Sequence, residues 1–262
     1  MRLKDKKLFL LDMDGTIYLG DDLFDGTLDF LSRVKENGGR YMFLTNNSSK
    51  SVDKYIDKMN CLGIETTVDD YFTSAQATLD YLANTDYKKI YCLGTKSLCE
   101  EFTKGGYNVV TDVEEGIDCL VMGNDQELTF KKLEDACILL GKDIAYIATN
   151  PDYVCPMSYG YAPDCGCFAI MLEYATGRKP YFIGKPQPDM VYSAMKLADC
   201  TPEETVLIGD RLYTDIACGN NAGIDTIFVL SGEGTMEDIE KTGVKPTYIF
   251  DNIKKVFEDI SK

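Results

Sequence analysis

The chain has 262 residues, of which 45% are hydrophobic and 27% charged, with a formal net charge of −16. That length supports one large domain or two modest ones with a real core, and the acidity argues against a general electrostatic affinity for nucleic acid or an anionic membrane. There is no histidine, which excludes Ser-His-Asp and Cys-His catalysis, the H-E-x-x-H zinc enzymes and histidine phosphotransfer, and leaves acid–base work to carboxylates, lysine or tyrosine.

From the N-terminus, short apolar runs alternate with segments of helical period. The basic start precedes an apolar run of only four residues, 8–11, which ends in aspartates. It does not read as a signal peptide, and no run approaches the ~18 residues that cross a bilayer. A cytoplasmic protein without membrane partners is expected. Residues 8–12 (LFLLD) read as a buried strand. The next segment, 26–39, spaces Leu28, Leu31 and Val34 as a helix and stops at a glycine pair. A second strand is predicted over 41–47 and a helix over 51–63, ending at Gly63. This β-α-β-α order predicts a parallel sheet covered by helices.

The pattern continues through strands at 89–94, 117–123 and 144–150, with helices 95–106 and 128–143 between them. A helix follows at 167–178, then a strand at 181–185 and a helix near 189–198. Strands at 205–210, 226–230 and 247–250 and helices near 213–222 and over 251–262 complete the chain. No low-complexity linker interrupts it. The ten cysteines are expected to be reduced and mostly buried. The Cys165-Gly166-Cys167 run has no second pair to complete a zinc site.

Four predicted strands end in reactive polar residues. They are Asp12 with Asp14, Gly15 and Thr16; Thr45-Asn46-Asn47; Gly184-Lys185-Pro186; and Gly209-Asp210, with Asp215 five residues on. In an open parallel sheet, ligands bind outside the carboxyl ends of the strands. One sheet edge would then collect several carboxylates, a lysine, and hydroxyl and amide groups. Clustered carboxylates repel one another and need a cation. An all-oxygen donor set suits Mg²⁺, and a lysine beside them suits an oxyanion such as phosphate. Phosphoryl transfer through an aspartyl-phosphate unites these parts. Each motif alone reads more simply as a cap, a turn or a solvated strand end; their joint order is what carries the reading.

Taken together, DMDGT, TNN, GKP and GDRLYTD resemble the four motifs of the haloacid dehalogenase (HAD) superfamily. The details TNNSS, ATNPD and GKPQPDM resemble its subgroup with a class IIA cap, the NagD-like or p-nitrophenylphosphatase type. The resemblance implies a Rossmann-like α/β core of residues 1–74 and 181–262, with a parallel sheet and helices on both faces. It also implies an inserted α/β cap of residues 75–180. About 140 residues separate Asn47 from Lys185, an insertion that short connections tolerate at modest entropic cost.

The resemblance further implies roles. Asp12 would attack phosphorus, and Asp14 would protonate the leaving oxygen and then activate water. Mg²⁺ would sit on Asp12, the Asp14 carbonyl and Asp210, with Asp215 nearby. Thr45, amides at Asn46 and beyond, and Lys185 would hold the phosphoryl oxygens. Asn47, Asn150 and Asp152 are further substrate-binding candidates. Tyr153, Tyr159 and Tyr161 are expected to pack, and Arg178 to serve the surface. The expected partner is a small phosphorylated metabolite, and a homodimer through the cap is implied. A phosphotransferase or mutase on the same scaffold is the nearest alternative. A receiver-like phospho-acceptor and a non-catalytic binding protein are the others.

Overall fold

The computed structural model describes residues 2–157 and 159–262. Met1, and Ser158 in the ATNPDYVCPMSYG segment, lie outside the described residues. The chain divides into two compact units, both α/β. The first comprises Met1–Thr45, Ile56–Phe72 and Lys185–Lys262, and the second Asn46–Tyr55 and Thr73–Gly184.

The first unit holds a six-stranded sheet. From edge to edge it runs Tyr248–Phe250, Asp225–Val229, Thr205–Gly209, Leu8–Leu11, Arg40–Thr45 and Tyr71–Thr73. Pairing among the first five strands is parallel. Leu8–Leu11 and Thr205–Gly209 are buried at every position. That is why they read as continuous apolar runs: a parallel sheet is covered on both faces. Helix Thr27–Glu36 buries Phe30, Leu31 and Val34, and the Phe30 ring meets Phe9 of the central strand edge-on at 5.7 Å. From the central strand the chain goes first to one side of the sheet and later to the other. The order therefore reverses between Leu8–Leu11 and Thr205–Gly209, the kind of switch point at which parallel sheets open a crevice.

The second unit has a five-stranded parallel sheet, ordered Tyr181–Phe182, Ala145–Ala148, Cys119–Met122, Lys89–Leu93 and Asn108–Val110. An antiparallel hairpin pairs Val154–Met157 with Gly160–Pro163. Helices Phe130–Leu140 and Cys165–Thr176 bury Ala136, Leu139, Phe168 and Leu172 against Leu120 and Met122.

The structure adds elements that the apolar periodicity did not predict: the strand Tyr71–Thr73, the helix Ser74–Ala83, the strand Asn108–Val110, the hairpin and the helix Met236–Thr242. Two of these helices begin at capping boxes, Thr73 with Gln76 and Thr235 with Asp238. The first is so rich in alanine and small polar residues that its periodicity is faint. Residues 46–55, expected in the core, group with the second unit. Bonds distant in sequence explain this: Ser74 Oγ donates to the Asn46 carbonyl at 2.6 Å, Thr95 Oγ1 to the Ser49 carbonyl at 3.2 Å, and the Ser48 and Thr149 hydroxyls lie 2.9 Å apart. Among the described residues no helix is long and apolar enough to cross a membrane.

Candidate active site

Asp12 follows the central strand directly, and its amide donates to the Ile208 carbonyl at 2.9 Å. Adjacent parallel strands lie about 4.8 Å apart. The registers Leu11↔Ile208 and Leu11↔Phe43 therefore carry Asp12, Asp210 and Thr45 to the same end of the sheet. Asp215 arrives by a different device. It sits in a π-helical turn, Leu212–Ile216, a wide turn often found at functional sites. Gly209 makes room for it, because a Cβ there would lie 2.3 Å from the Asp215 Cβ.

Carboxylate oxygens of Asp12, Asp210 and Asp215 lie within 4.8 Å of one another. Lys185 is 2% exposed and reaches into this group. Its Nζ donates to Asp12 Oδ1 at 2.7 Å, Asp215 Oδ1 at 2.6 Å and the Leu44 carbonyl at 2.9 Å. Burial opposes the charge on this ammonium, but Asp12 and Asp215 hold its pKa above the ordinary lysine value. Burial pushes the Asp12 carboxyl well up; Lys185 opposes the rise, while Asp215 and Asp210 add to it. Asp210 is pushed up to about 7, by burial first and by Asp215 second.

Asp210 is held from one side only. Its Oδ2 accepts the Glu233 amide at 2.7 Å, while its buried Oδ1 has no hydrogen-bond partner. Two glycines crowd Oδ2: a Cβ on Gly15 would lie 2.4 Å from it and one on Gly232 1.9 Å. Gly15 also has φ +87°, in the left-handed region that favours glycine. The segment Ser231–Gly234 was not anticipated. Ser231 Oγ donates to the Gly15 carbonyl at 2.8 Å, and the Gly234 amide to the Asp210 carbonyl at 3.0 Å. Its signal was present as Gly-Glu-Gly, 232–234, shortly after the strand Asp225–Val229.

Asp14 stands apart from the three-carboxylate cluster. Its backbone bridges Tyr18, whose hydroxyl lies 3.5 Å from Asp14 Oδ2. Thr45 is buried at its strand end.

The remaining candidates belong to the second unit. Asn46 Nδ2 donates to Asp152 Oδ1 at 3.2 Å, and Asn47 Oδ1 accepts the Ser49 amide at 3.0 Å and the Ser49 hydroxyl at 2.7 Å. Asn150 is fully buried. Its Nδ2 donates to Asp152 Oδ2 at 3.3 Å and Asp164 Oδ1 at 3.2 Å, and its Oδ1 accepts the Thr149 hydroxyl at 3.1 Å. Asn124 Nδ2 donates to Asp164 Oδ2 at 2.8 Å. Asn46, Asn150 and Asp152 thus form one amide–carboxylate network, built on the turn that Asn150-Pro151-Asp152 encodes.

Two expectations need correction or refinement. Tyr153, Tyr159 and Tyr161, in and beside the hairpin, do not pack; they are 52%, 73% and 61% exposed. Arg178 is a structural clamp, donating to the carbonyls of Leu140 at 3.4 Å, Lys142 at 3.0 Å and Ile144 at 2.8 Å.

Comparison with known proteins bears on the whole chain. The family model described as haloacid dehalogenase-like hydrolase matches residues 9–108, and one described as HAD-hydrolase-like matches residues 182–256. An acid sugar phosphatase of Staphylococcus saprophyticus is 34% identical over 261 residues, covering 99% of this chain and 100% of the relative. The crystal structure of a 4-nitrophenylphosphatase from Thermotoga maritima superposes with a TM-score of 0.92 at 41% identity, covering 98% of each chain. That of a glycerol phosphate phosphatase from Mycobacterium tuberculosis, in complex with magnesium, gives 0.92 at 28% identity over 100% of this chain and 79% of that one. The chain therefore belongs to the haloacid dehalogenase-like hydrolases, among the NagD-like phosphatases.

Proposed function

We propose that the chain is a Mg²⁺-dependent hydrolase of small phosphomonoesters that works through an aspartyl-phosphate on Asp12. The observation that carries this reading is Lys185 bonded to Asp12 and Asp215, with Asp210 at the same cluster. A divalent cation fits the residues present. Three carboxylates face one ammonium, the donors are all oxygen, and Asp210 Oδ1 is buried without a partner. Asp12 and Asp210 would hold the ion, with the Asp14 carbonyl, and Asp215 beside it. When bound, it neutralises phosphoryl charge and keeps the carboxylates ionised.

Asp12 attacks phosphorus while Lys185 and the Thr45 hydroxyl hold the equatorial oxygens. Asp14, outside the carboxylate cluster, gives its proton to the leaving oxygen. It then takes one from the water that cleaves the acyl phosphate. Within the second unit, Asn150 and Asp152 fix Asn46.

The names of the relatives favour sugar phosphates and aryl phosphates such as p-nitrophenyl phosphate as substrates. The ten free thiols favour the reducing cytoplasm. Exposed Ile170, Met171 and Tyr174 on one helix support self-association of the second unit.

The test is phosphate release from a panel of sugar and aryl phosphates, with Mg²⁺ and with chelator, for wild type and Asp12→Asn. Turnover that needs Mg²⁺ and vanishes in the variant is expected. Turnover surviving in Asp12→Asn overturns the mechanism. Preferential transfer to a sugar hydroxyl over water would make the enzyme a phosphotransferase.

A further inference from the structure

Arg211 follows Asp210 directly, and its side chain meets the segment that crowds Asp210. Arg211 Nε lies 2.9 Å from Glu233 Oε2, and both atoms are shielded from solvent. The Tyr213 hydroxyl donates to Glu233 Oε1 at 3.4 Å. Each carboxylate oxygen of Glu233 therefore has a partner on the stretch 211–213. The backbone of the same residues reaches the three-carboxylate cluster. The Glu233 amide donates to Asp210 Oδ2 at 2.7 Å, and the Arg211 amide to Asp215 Oδ2 at 3.1 Å. A ring closes through the Asp210–Arg211 peptide, the Arg211–Glu233 ion pair and the Glu233 amide on Asp210.

Glu233 stands between two glycines that have no room for side chains. A Cβ on Gly232 would lie 1.9 Å from Asp210 Oδ2, and one on Gly234 2.5 Å from the Asp210 carbonyl oxygen. Glycine loses more conformational freedom on folding than any other residue, so the segment needs anchors. Its ends have them: Ser231 Oγ bonds the Gly15 carbonyl, and the Gly234 amide bonds the Asp210 carbonyl. Between those ends the Glu233 side chain is the handle. The ion pair that grips it is only 12% and 28% exposed, and a partly buried pair is screened much less than a surface one. The result is an Asp210 carboxylate pinned at Oδ2, with Oδ1 left unbonded.

We propose, taking Asp210 as a ligand of the divalent cation proposed above, that Arg211, Glu233 and Tyr213 are positioning residues that set the affinity for that cation. They hold the Glu233 amide on Asp210 Oδ2, which fixes the carboxylate and leaves Oδ1 for the ion. Ligating carboxylates depend on such outer hydrogen bonds, and losing one costs roughly 10- to 100-fold in metal affinity. The plain effect of charge runs the other way at Arg211. Taking a positive charge from beside a cation site strengthens the attraction for the cation, whereas releasing Glu233 weakens binding. The sign of one substitution separates the two.

Mn²⁺, which also suits octahedral oxygen sites, is titrated into the full-length protein without substrate, and the free ion is followed by its EPR signal. Arg211→Met is expected to raise the Mn²⁺ Kd about tenfold, and Glu233→Gln by a similar factor. The double variant should lose no more than either single one, because the two side chains act as one device. Tyr213→Phe should lose less. The Mg²⁺ concentration for half-maximal turnover should rise in parallel, while turnover at saturating Mg²⁺ changes far less, a split that general damage to the fold would not produce. An unchanged or lower Kd in Arg211→Met overturns the proposal and leaves the cation site standing. So does a double variant whose rise is the product of the two single ones. If Arg211→Met does not fold, Glu233→Gln decides, and an unchanged Kd there overturns the proposal equally. Wild type that takes up no Mn²⁺ overturns the cation site and the positioning role together.

Discussion

The first unit gathers Asp12, Asp210 and Asp215 around one ammonium, while the second surrounds Asp152 and Asp164 with the amides of Asn46, Asn124 and Asn150. Both clusters are buried except for the half-buried Asp12, and both lie at the ends of parallel strands. The difference is in how charge is met. Asparagine amides give a carboxylate its hydrogen bonds without cancelling a charge, and such a network rigidifies a turn. In the first unit three carboxylates share one cation and leave Asp210 Oδ1 unbonded. That surplus is electrostatically costly, and it is the feature on which the proposed cation site rests.

Removing the proposed nucleophile sharpens this contrast most. Asp12→Asn is expected to lower kcat by roughly 10³-fold or more, read as phosphate release at saturating Mg²⁺. Lys185→Met strips the cluster of its cation. In chelator it should destabilise the fold by about 3 kcal/mol, measured by urea unfolding, and Mg²⁺ should recover part of the loss.

The third test uses pH. The Asp210 pKa is raised from 3.8 to about 7 in the folded, metal-free chain. The native state therefore binds the proton more tightly than the unfolded state between those values. That contribution is present in full below the lower value and is lost as pH rises through about 7. In chelator, Tm of wild type relative to Asp210→Asn should fall across this window, and Mg²⁺ should raise wild-type Tm more at pH above 7 than below it. A flat difference would mean that Asp210 is not the group responsible.

The smallest effect belongs to the second cluster. Asp164 caps the helix Cys165–Thr176, accepting the Cys165 amide at 2.6 Å. Asp164→Asn should cost about 1 kcal/mol of stability with kcat at saturating substrate unchanged. A large fall in kcat would erase the distinction between the two clusters.

Much of the first cluster was legible from residue order. Asp12, Thr45, Lys185 and Asp210 each end or follow an apolar run, and parallel strands bring such ends together. Asp215 was legible only by its spacing from Asp210, since a π-helical turn has no simple periodicity. The Ser231–Gly234 segment was not seen because its contribution is a backbone amide and two missing side chains. Their trace in the sequence, two glycines flanking Glu233, is that of an ordinary turn. Residues 46–55 were assigned by continuity with the strand before them, whereas hydroxyl bonds formed across a long stretch of chain decide their grouping. The three hairpin tyrosines were expected to pack because aromatic residues usually do; burial depends on a cover that local sequence does not specify.

The glycines around Asp210 and Asp215 have a consequence for how this protein can change. At positions 15, 209 and 232 any side chain would collide with a carboxylate of the cluster or its stem. Single substitutions there are closed off, and no compensating change nearby removes the carboxylate without removing the chemistry. The exposed tyrosines at 153, 159 and 161 face no such barrier, since surface replacements cost little stability. Inherited variation should therefore accumulate on the hairpin while the glycine-lined strand ends stay as they are.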